Sequence, residues 1–160
     1  MAIVSEYSLT IERVVSASPE ALFRGWTEPD LLVQWFTPAP WRTTHAEVDL
    51  RPGGIFRTVM QSPEGELVDE GAGCVLEVVS NRRFVWTSAF GPGYLPNNFS
   101  GGGFPMTVML EFEPHEQGTR YIATVHHANQ ADRDAHESMG FHEGWSAALD
   151  QLVALVANHD

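Results

Sequence analysis

The sequence has few basic residues, one cysteine and no long apolar run. Nine basic residues stand against 21 aspartates and glutamates, which gives a formal net charge of -12. Such a surface repels phosphate backbones and anionic lipid, so we predict neither nucleic acid nor a membrane as a partner. The single cysteine, Cys74, cannot form an intramolecular disulfide. No apolar stretch approaches the roughly 20 residues that cross a bilayer.

The length and composition are those of one globular domain. The chain has 160 residues, of which 43% are hydrophobic and 19% charged. That balance is sufficient to bury a core, and we interpret residues 1–160 as a single domain. The first residues lead directly into a strand pattern and not into a basic-then-apolar leader, so a cytoplasmic protein is expected.

Strand and turn signals dominate the sequence as far as residue 127. Alternation over residues 6–15 and 104–113, and strand-like runs bounded by turns elsewhere, predict strands over residues 6–15, 45–50, 55–61, 67–79, 82–90, 104–113 and 119–127. Ser18-Pro19-Glu20 begins a short helix over residues 19–26, and Thr27-Glu28-Pro29-Asp30 begins a second that runs to about Trp35. Residues 91–103 contain five glycines and two prolines, which predicts a mobile loop.

The period changes near residue 130. Apolar side chains from Phe141 to Val156 recur at helical spacing, which predicts a long helix from near Asp132 to near Asn158 with a bend at Gly140. Consecutive strands joined by short turns pair as antiparallel neighbours, and the long helix must bury its stripe against one face of their sheet. The predicted fold class is therefore α+β, with six or seven antiparallel strands curved around a C-terminal helix.

Several phrases in this order resemble one family. They are Ser18-Pro19-Glu20, Trp26-Thr27-Glu28-Pro29, Gln34-Trp35-Phe36, Arg51-Pro52-Gly53-Gly54, Gly118-Thr119 and the run from His136 to Trp145. Together they resemble the SRPBCC superfamily, also called START-like, and within it the group similar to the C-terminal domain of the activators of the heat-shock chaperone ATPase. The resemblance implies a helix-grip fold with a cavity between sheet and long helix. It also implies binding of hydrophobic molecules, polyketide cyclase chemistry or stimulation of a chaperone ATPase.

Aromatic and methionine side chains on the predicted inward faces are the candidate ligand-binding residues. Large rings give a pocket its shape and methionine adapts to varied ligands, although each such residue also suits an ordinary core. The candidate residues are Trp35, Phe36, Phe56, Met60, Trp86, Phe90, Met106, Val108, Phe141 and Trp145. Tyr94 and Phe99 belong to the glycine-rich loop, which is either a gate for such a pocket or an ordinary connection.

No catalytic motif accompanies these rings. His126, His127, His136 and His142 cluster in the sequence, but His136 and His142 lie about 240° apart around a helix, so we predict no metal site. We likewise predict no cofactor, because no dinucleotide fingerprint, phosphate loop or nucleophile elbow occurs. Glu47 and Asp49, like Glu111 and Glu113, are interpreted as solvated outer faces, and Cys74 as a packed apolar side chain.

Three functions follow, in this order of preference. The first is binding of a small hydrophobic or aromatic molecule between the sheet and the C-terminal helix. The second is a cyclase or aromatase-like enzyme that shapes such a molecule with one or two polar groups. The third is an interaction module that acts on a chaperone, and pairing with a second copy of the chain stays open.

Overall fold

The structure, a computed structural model, describes residues 6–69 and 71–157. The elements in chain order are β1 (Ser8–Val15), α1 (Pro19–Thr27), α2 (Pro29–Leu32), β2 (Arg42–Val48), β3 (Ile55–Gln61), β4 (Leu67–Asp69), β5 (Gly73–Val79), β6 (Arg83–Thr87), β7 (Phe90–Gly91), β8 (Leu95–Pro96), β9 (Met106–His115), β10 (Gly118–His127), α3 (Gln130–Ser138) and α4 (Phe141–Val156). A short 3-10 turn, Pro92–Tyr94, joins β7 to β8.

One antiparallel sheet forms the body of the molecule. Its strands follow the order β1-β10-β9-β6-β5-β3-β2, and β4 also pairs with β3. Trp86 of β6 lies opposite Val108 of β9, which places both on the face toward the helices. Val108 and Leu110 are fully buried, whereas Thr107 on the opposite face is only partly so. The antiparallel α+β architecture and this strand parity confirm the predicted fold.

The two N-terminal helices form a corner under the long helix. Ser18 caps α1 by accepting a hydrogen bond from the backbone N–H of Ala21 at 3.1 Å. A side chain at Gly25 would overlap Leu152, so α1 and α4 pack closely at this point. The second helix ends at Leu32, short of the predicted Trp35, because turns carry the chain on from there.

The segments predicted over residues 67–79 and 91–103 also differ from the structure. The strand predicted over residues 67–79 is interrupted, since β4 ends at Asp69 and β5 begins at Gly73. Both halves pair with the same strand, β4 at the end of β3 and β5 at its beginning. The predicted loop over residues 91–103 begins with ordered structure, because β7 and β8 form a small antiparallel ribbon.

The predicted C-terminal helix is divided into α3 and α4 at the expected bend. Gly140 adopts a left-handed conformation (φ 95°), which ends α3 and redirects the chain into α4. Phe141, Leu149 and Leu152 of α4 are buried against the concave face of the sheet. Asn158, the predicted helix end, lies outside the described residues.

Candidate functional site

A group of aromatic rings fills the space between the sheet and α4, with Trp26 at its centre. Trp26 is only 1% exposed, and its ring centroid lies between 4.8 and 6.5 Å from those of six other residues. These residues, with Trp26 itself, are here called the aromatic cluster: Trp26, Trp35, Phe36, Phe56, Phe84, Trp86 and Trp145. Helices α1 and α4, strands β3 and β6 and the segment after α2 all contribute to it.

The tightest contact in the aromatic cluster joins two strands that are not neighbours. Phe56 of β3 and Trp86 of β6 stack with centroids 4.1 Å apart and planes inclined by 17°. Strand β5 lies between them, but it presents Gly73 opposite Phe56. Cross-strand partners share a face of the sheet, so a glycine at this place leaves the two rings free to meet.

The buried indole N–H groups differ in how they are satisfied. Trp26 donates from Nε1 to the hydroxyl of Tyr121 at 3.0 Å, and Trp35 donates to the carbonyl of Gly25 at 2.9 Å. Trp86 is 5% exposed, and within the described part of the chain nothing accepts a hydrogen bond from its Nε1. A buried donor without an acceptor costs about 1–3 kcal/mol, so this position is suited to an oxygen acceptor brought by another molecule.

Parts of the aromatic cluster and of its surroundings are incompletely covered. Phe36, Val48, Met106 and Trp145 pack against the core but are only partly buried. Beside Trp145, a side chain at Gly144 would meet no atom within 4 Å, so there is open space next to the N-terminal half of α4. Phe36 and Trp145 are therefore the members of the aromatic cluster that solvent reaches.

The structure brings most of the predicted site residues together. Trp35, Phe36, Phe56, Trp86 and Trp145 all belong to the aromatic cluster. Phe141 reaches it through Trp145 at 5.2 Å, Val108 pairs with Trp86, and Met106 packs against the same core.

Two predicted site residues lie apart. Phe90 belongs to the small ribbon, where it pairs with Pro96. Met60 lies at the far end of β3, between Thr43 and Val68 of the neighbouring strands. Sequence reasoning also missed Trp26 and Phe84, although Trp26 belongs to one of the phrases that carry the family resemblance.

The glycine-rich loop is anchored to the body at its beginning. The side-chain amide of Asn97 donates to the carbonyls of Ala72 and Ser88, both at 2.9 Å. Tyr94 is 50% exposed and lies over Gly53. These contacts hold the segment up to Asn97 in place, and gating by the rest of the loop stays a prediction.

Two of the four clustered histidines are joined directly. Nε2 of His127 lies 2.9 Å from Nδ1 of His136, and Nδ1 of His127 lies 2.8 Å from the carbonyl oxygen of Tyr7. His142 instead contacts Glu137 at 3.3 Å. Across the described ranges, no three potential ligands come together in an arrangement that would hold a metal ion.

The other polar candidates have structural surroundings. Cys74 is buried, as predicted, and Arg51 donates to Asp49 at 2.8 Å beside its turn. Glu47 binds Arg57 at 2.8 Å on the outer face.

A separate pocket of about 240 Å³ lies by the β5–β6 turn and the end of β9, away from the aromatic cluster. It is lined by residues of both charges. Among the described helices, none is long and apolar enough to cross a membrane.

Acidification should destabilise the fold through His136. Burial, and secondarily the nearby His127, lowers the pKa of His136 from 6.5 to about 4. The unfolded chain therefore takes up a proton on this imidazole at a higher pH than the folded chain does. Protonation thus favours the unfolded state, and the free energy of unfolding decreases as the pH falls from 6.5 through about 4. Urea unfolding at a series of pH values should show a shallower decline for His136→Gln than for the parent. Equal slopes would contradict this assignment.

The curved antiparallel sheet, the corner of two short helices and the long C-terminal helix over an aromatic interior define a helix-grip domain. The chain belongs to the family described as activator of Hsp90 ATPase homolog 1-like protein, whose family model matches residues 16–157. Among functionally curated proteins, none matches the chain.

Solved structures share the fold over nearly the whole chain. A protein from Nitrosomonas europaea is 42% identical with a TM-score of 0.91, and the alignment covers 98% of each chain. A Rhodobacter sphaeroides protein is 25% identical with a TM-score of 0.82, covering 98% of this chain and 97% of the other. A Mycobacterium smegmatis protein is 26% identical with a TM-score of 0.76, covering 93% and 90%.

Proposed function

We propose that this domain binds a small, mainly apolar aromatic compound that carries an oxygen acceptor, at the aromatic cluster between the sheet and α4. The observation that carries the proposal is the buried N–H of Trp86, which has no acceptor in the described part of the chain. Its neighbours Trp26 and Trp35 in the same cluster both donate to protein oxygens. A ligand oxygen at Trp86 would complete this pattern.

Entry of a ligand requires movement of the partly buried side chains. The fully buried rings pack against one another, but Phe36, Met106 and Trp145 are only partly covered. Displacing them exposes apolar ring faces. An aromatic ligand that covers these faces gains roughly 25 cal/mol of binding free energy per Å² of apolar area buried. The ordering of ligand and side chains offsets part of this gain, so we expect affinity in the micromolar range or weaker.

A matched pair of ligands tests the role of Trp86. We expect 2-acetylnaphthalene to bind about fivefold more tightly than 2-ethylnaphthalene, because only the ketone accepts a hydrogen bond and one such bond contributes about 1 kcal/mol. Titration calorimetry measures both affinities. Trp86→Phe keeps an aromatic ring but removes the N–H, so the variant should bind the two compounds equally.

The outcomes separate the parts of the proposal. Saturable binding of both compounds with equal affinity by the parent would remove Trp86 as the donor. The absence of saturable binding by either compound would contradict ligand binding at the aromatic cluster.

The single cysteine is free and buried, which fits a reducing compartment, and we propose the cytoplasm as the place of action.

An activator-like interaction module is the second candidate. Tyr94 and Leu95 are adjacent at the end of the small ribbon, and they are 50% and 70% exposed. Exposed apolar side chains of this kind are typical of protein contacts. Stimulation of a chaperone ATPase by a parent protein that saturates with neither naphthalene compound, and loss of that stimulation in Leu95→Ser, would favour this function over the first.

A further inference from the structure

A chain of three groups runs from the first strand to α3. The carbonyl oxygen of Tyr7 lies 2.8 Å from Nδ1 of His127, and Nε2 of the same ring lies 2.9 Å from Nδ1 of His136. His127 is buried, and His136 is partly buried on α3. Strand β10 ends at His127 and α3 begins soon after it, capped by Asn129, so the local fold brings the two rings together.

The carbonyl at one end fixes the protons along this chain. A carbonyl oxygen only accepts, so Nδ1 of His127 must carry a proton and donate it to Tyr7. In a neutral ring, Nε2 of His127 is then the acceptor, and Nδ1 of His136 must be its donor. Nε2 of His136 is thereby left with a lone pair, and the hydrogen bonds among the described residues give it no partner.

Aromatic rings surround this pair and connect it to the aromatic cluster. The ring of His136 lies 5.5 Å from Phe104 and 5.1 Å from Phe141. Phe141 in turn lies 5.2 Å from Trp145, which belongs to the aromatic cluster. One phenyl ring, that of Phe141, therefore separates the imidazole of His136 from Trp145.

We propose that His136 is a second hydrogen-bonding group for the ligand, and that its Nε2 accepts a proton donor such as a phenolic or enolic hydroxyl. This inference rests on ligand binding at the aromatic cluster and narrows the ligand class to hydroxylated aromatic compounds. The backbone carbonyl of Tyr7, acting through His127, fixes the tautomer of His136 that has its lone pair on Nε2.

The acceptor stays available at neutral pH. Burial is the main reason, and proximity to His127 the second, why the pKa of His136 is lowered to about 4. The ring is therefore neutral near pH 7, and a hydroxyl group meets a lone pair and not an N–H.

The arrangement of protons can be tested without any ligand. Long-range ¹H–¹⁵N correlation spectra of the histidine side chains at pH 7 should show both His127 and His136 protonated on Nδ1 and unprotonated on Nε2. A spectrum in which His136 carries its proton on Nε2 would overturn the inference, because that nitrogen would then be a donor.

A second pair of compounds tests the contact itself. We expect 2-naphthol to bind about fivefold more tightly than 2-methoxynaphthalene, because both carry an acceptor oxygen but only the naphthol has a hydroxyl to donate. In His136→Asn the amide can still donate to His127 but nothing replaces Nε2, so the preference should disappear. In His136→Gln an amide oxygen can occupy the place of Nε2, so part of the preference should return.

The result for each pair is independent of the other. Saturable binding of 2-naphthol and 2-methoxynaphthalene with equal affinity would overturn the role of His136. It would leave the aromatic cluster as the binding site. A preference that persists unchanged in His136→Asn would overturn it as well. If neither of these compounds nor 2-acetylnaphthalene saturates the protein, both proposals fail together.

Discussion

Replacement of Trp26 with alanine should lower the free energy of unfolding by about 3–5 kcal/mol, the usual cost of removing a large buried ring. Trp26 is 1% exposed and contacts six other aromatic residues, so no neighbour can fill the space without moving. Its loss also removes the N–H that donates to the buried hydroxyl of Tyr121. Urea unfolding followed by circular dichroism measures the effect.

Trp145→Ala is the matched control for this prediction. Trp145 belongs to the same aromatic cluster but is only partly buried, so its removal should cost about 1–2 kcal/mol. A loss at Trp145 equal to that at Trp26 would mean that both rings are equally packed. It would also contradict access to the aromatic cluster from the side of α4.

The fold could be predicted because its signals are local and regular. Residues 104–113 place an apolar side chain at every second position, and most of this predicted strand lies in β9 (Met106–His115). The division of residues 67–79 into β4 and β5 could not be predicted in the same way. Both halves carry strand-like residues, and the interruption arises from how they pair with β3, which is a tertiary property.

The placements of Phe90 and Trp26 could not be predicted from the sequence, each for its own physical reason. Phe90 was expected to continue the face of Trp86, but the hydroxyl of Thr87 binds the carbonyl of Met106 and the N–H of Ala89, and the chain leaves β6 there. Trp26 was not singled out because α1 is buried over most of its surface. A helix without a broad polar face gives no indication of which ring lies at the centre.

The histidine pair shows a further limit of sequence spacing. His127 and His136 lie on different elements, so helical or strand periodicity says nothing about their separation. Their contact depends on the reversal of the chain at Asn129, whose side chain accepts from the N–H of Asp132 at 2.8 Å and starts α3 beside the end of β10. Spacing along the sequence tests these rings only as metal ligands on one element, whereas the structure gives two of them an imidazole–imidazole hydrogen bond.

At Gly118, where β10 begins after the turn from β9, the addition of a single methyl group is expected to have a large effect on the free energy of unfolding. Gly118 has a φ of +135°, a conformation that residues with a Cβ rarely adopt. An added Cβ would also overlap the carbonyl oxygen of Val15 and would lie 2.7 Å from the carbonyl carbon of Ser16. Both obstacles are backbone atoms at the end of β1, so they cannot rotate away.

Gly118→Ala should therefore lower the free energy of unfolding by about 2–5 kcal/mol, from backbone strain together with overpacking. Gly93→Ala is the control, since Gly93 also has a positive φ (+76°) but a Cβ there would meet no atom within 4 Å. That substitution should cost only about 1 kcal/mol, from strain alone. Urea unfolding of both variants isolates the steric part as their difference. Equal losses would mean that β1 and the turn separate readily to admit a methyl group. The close approach of Gly118 to Val15 would then contribute nothing to holding the edge strand β1 in place.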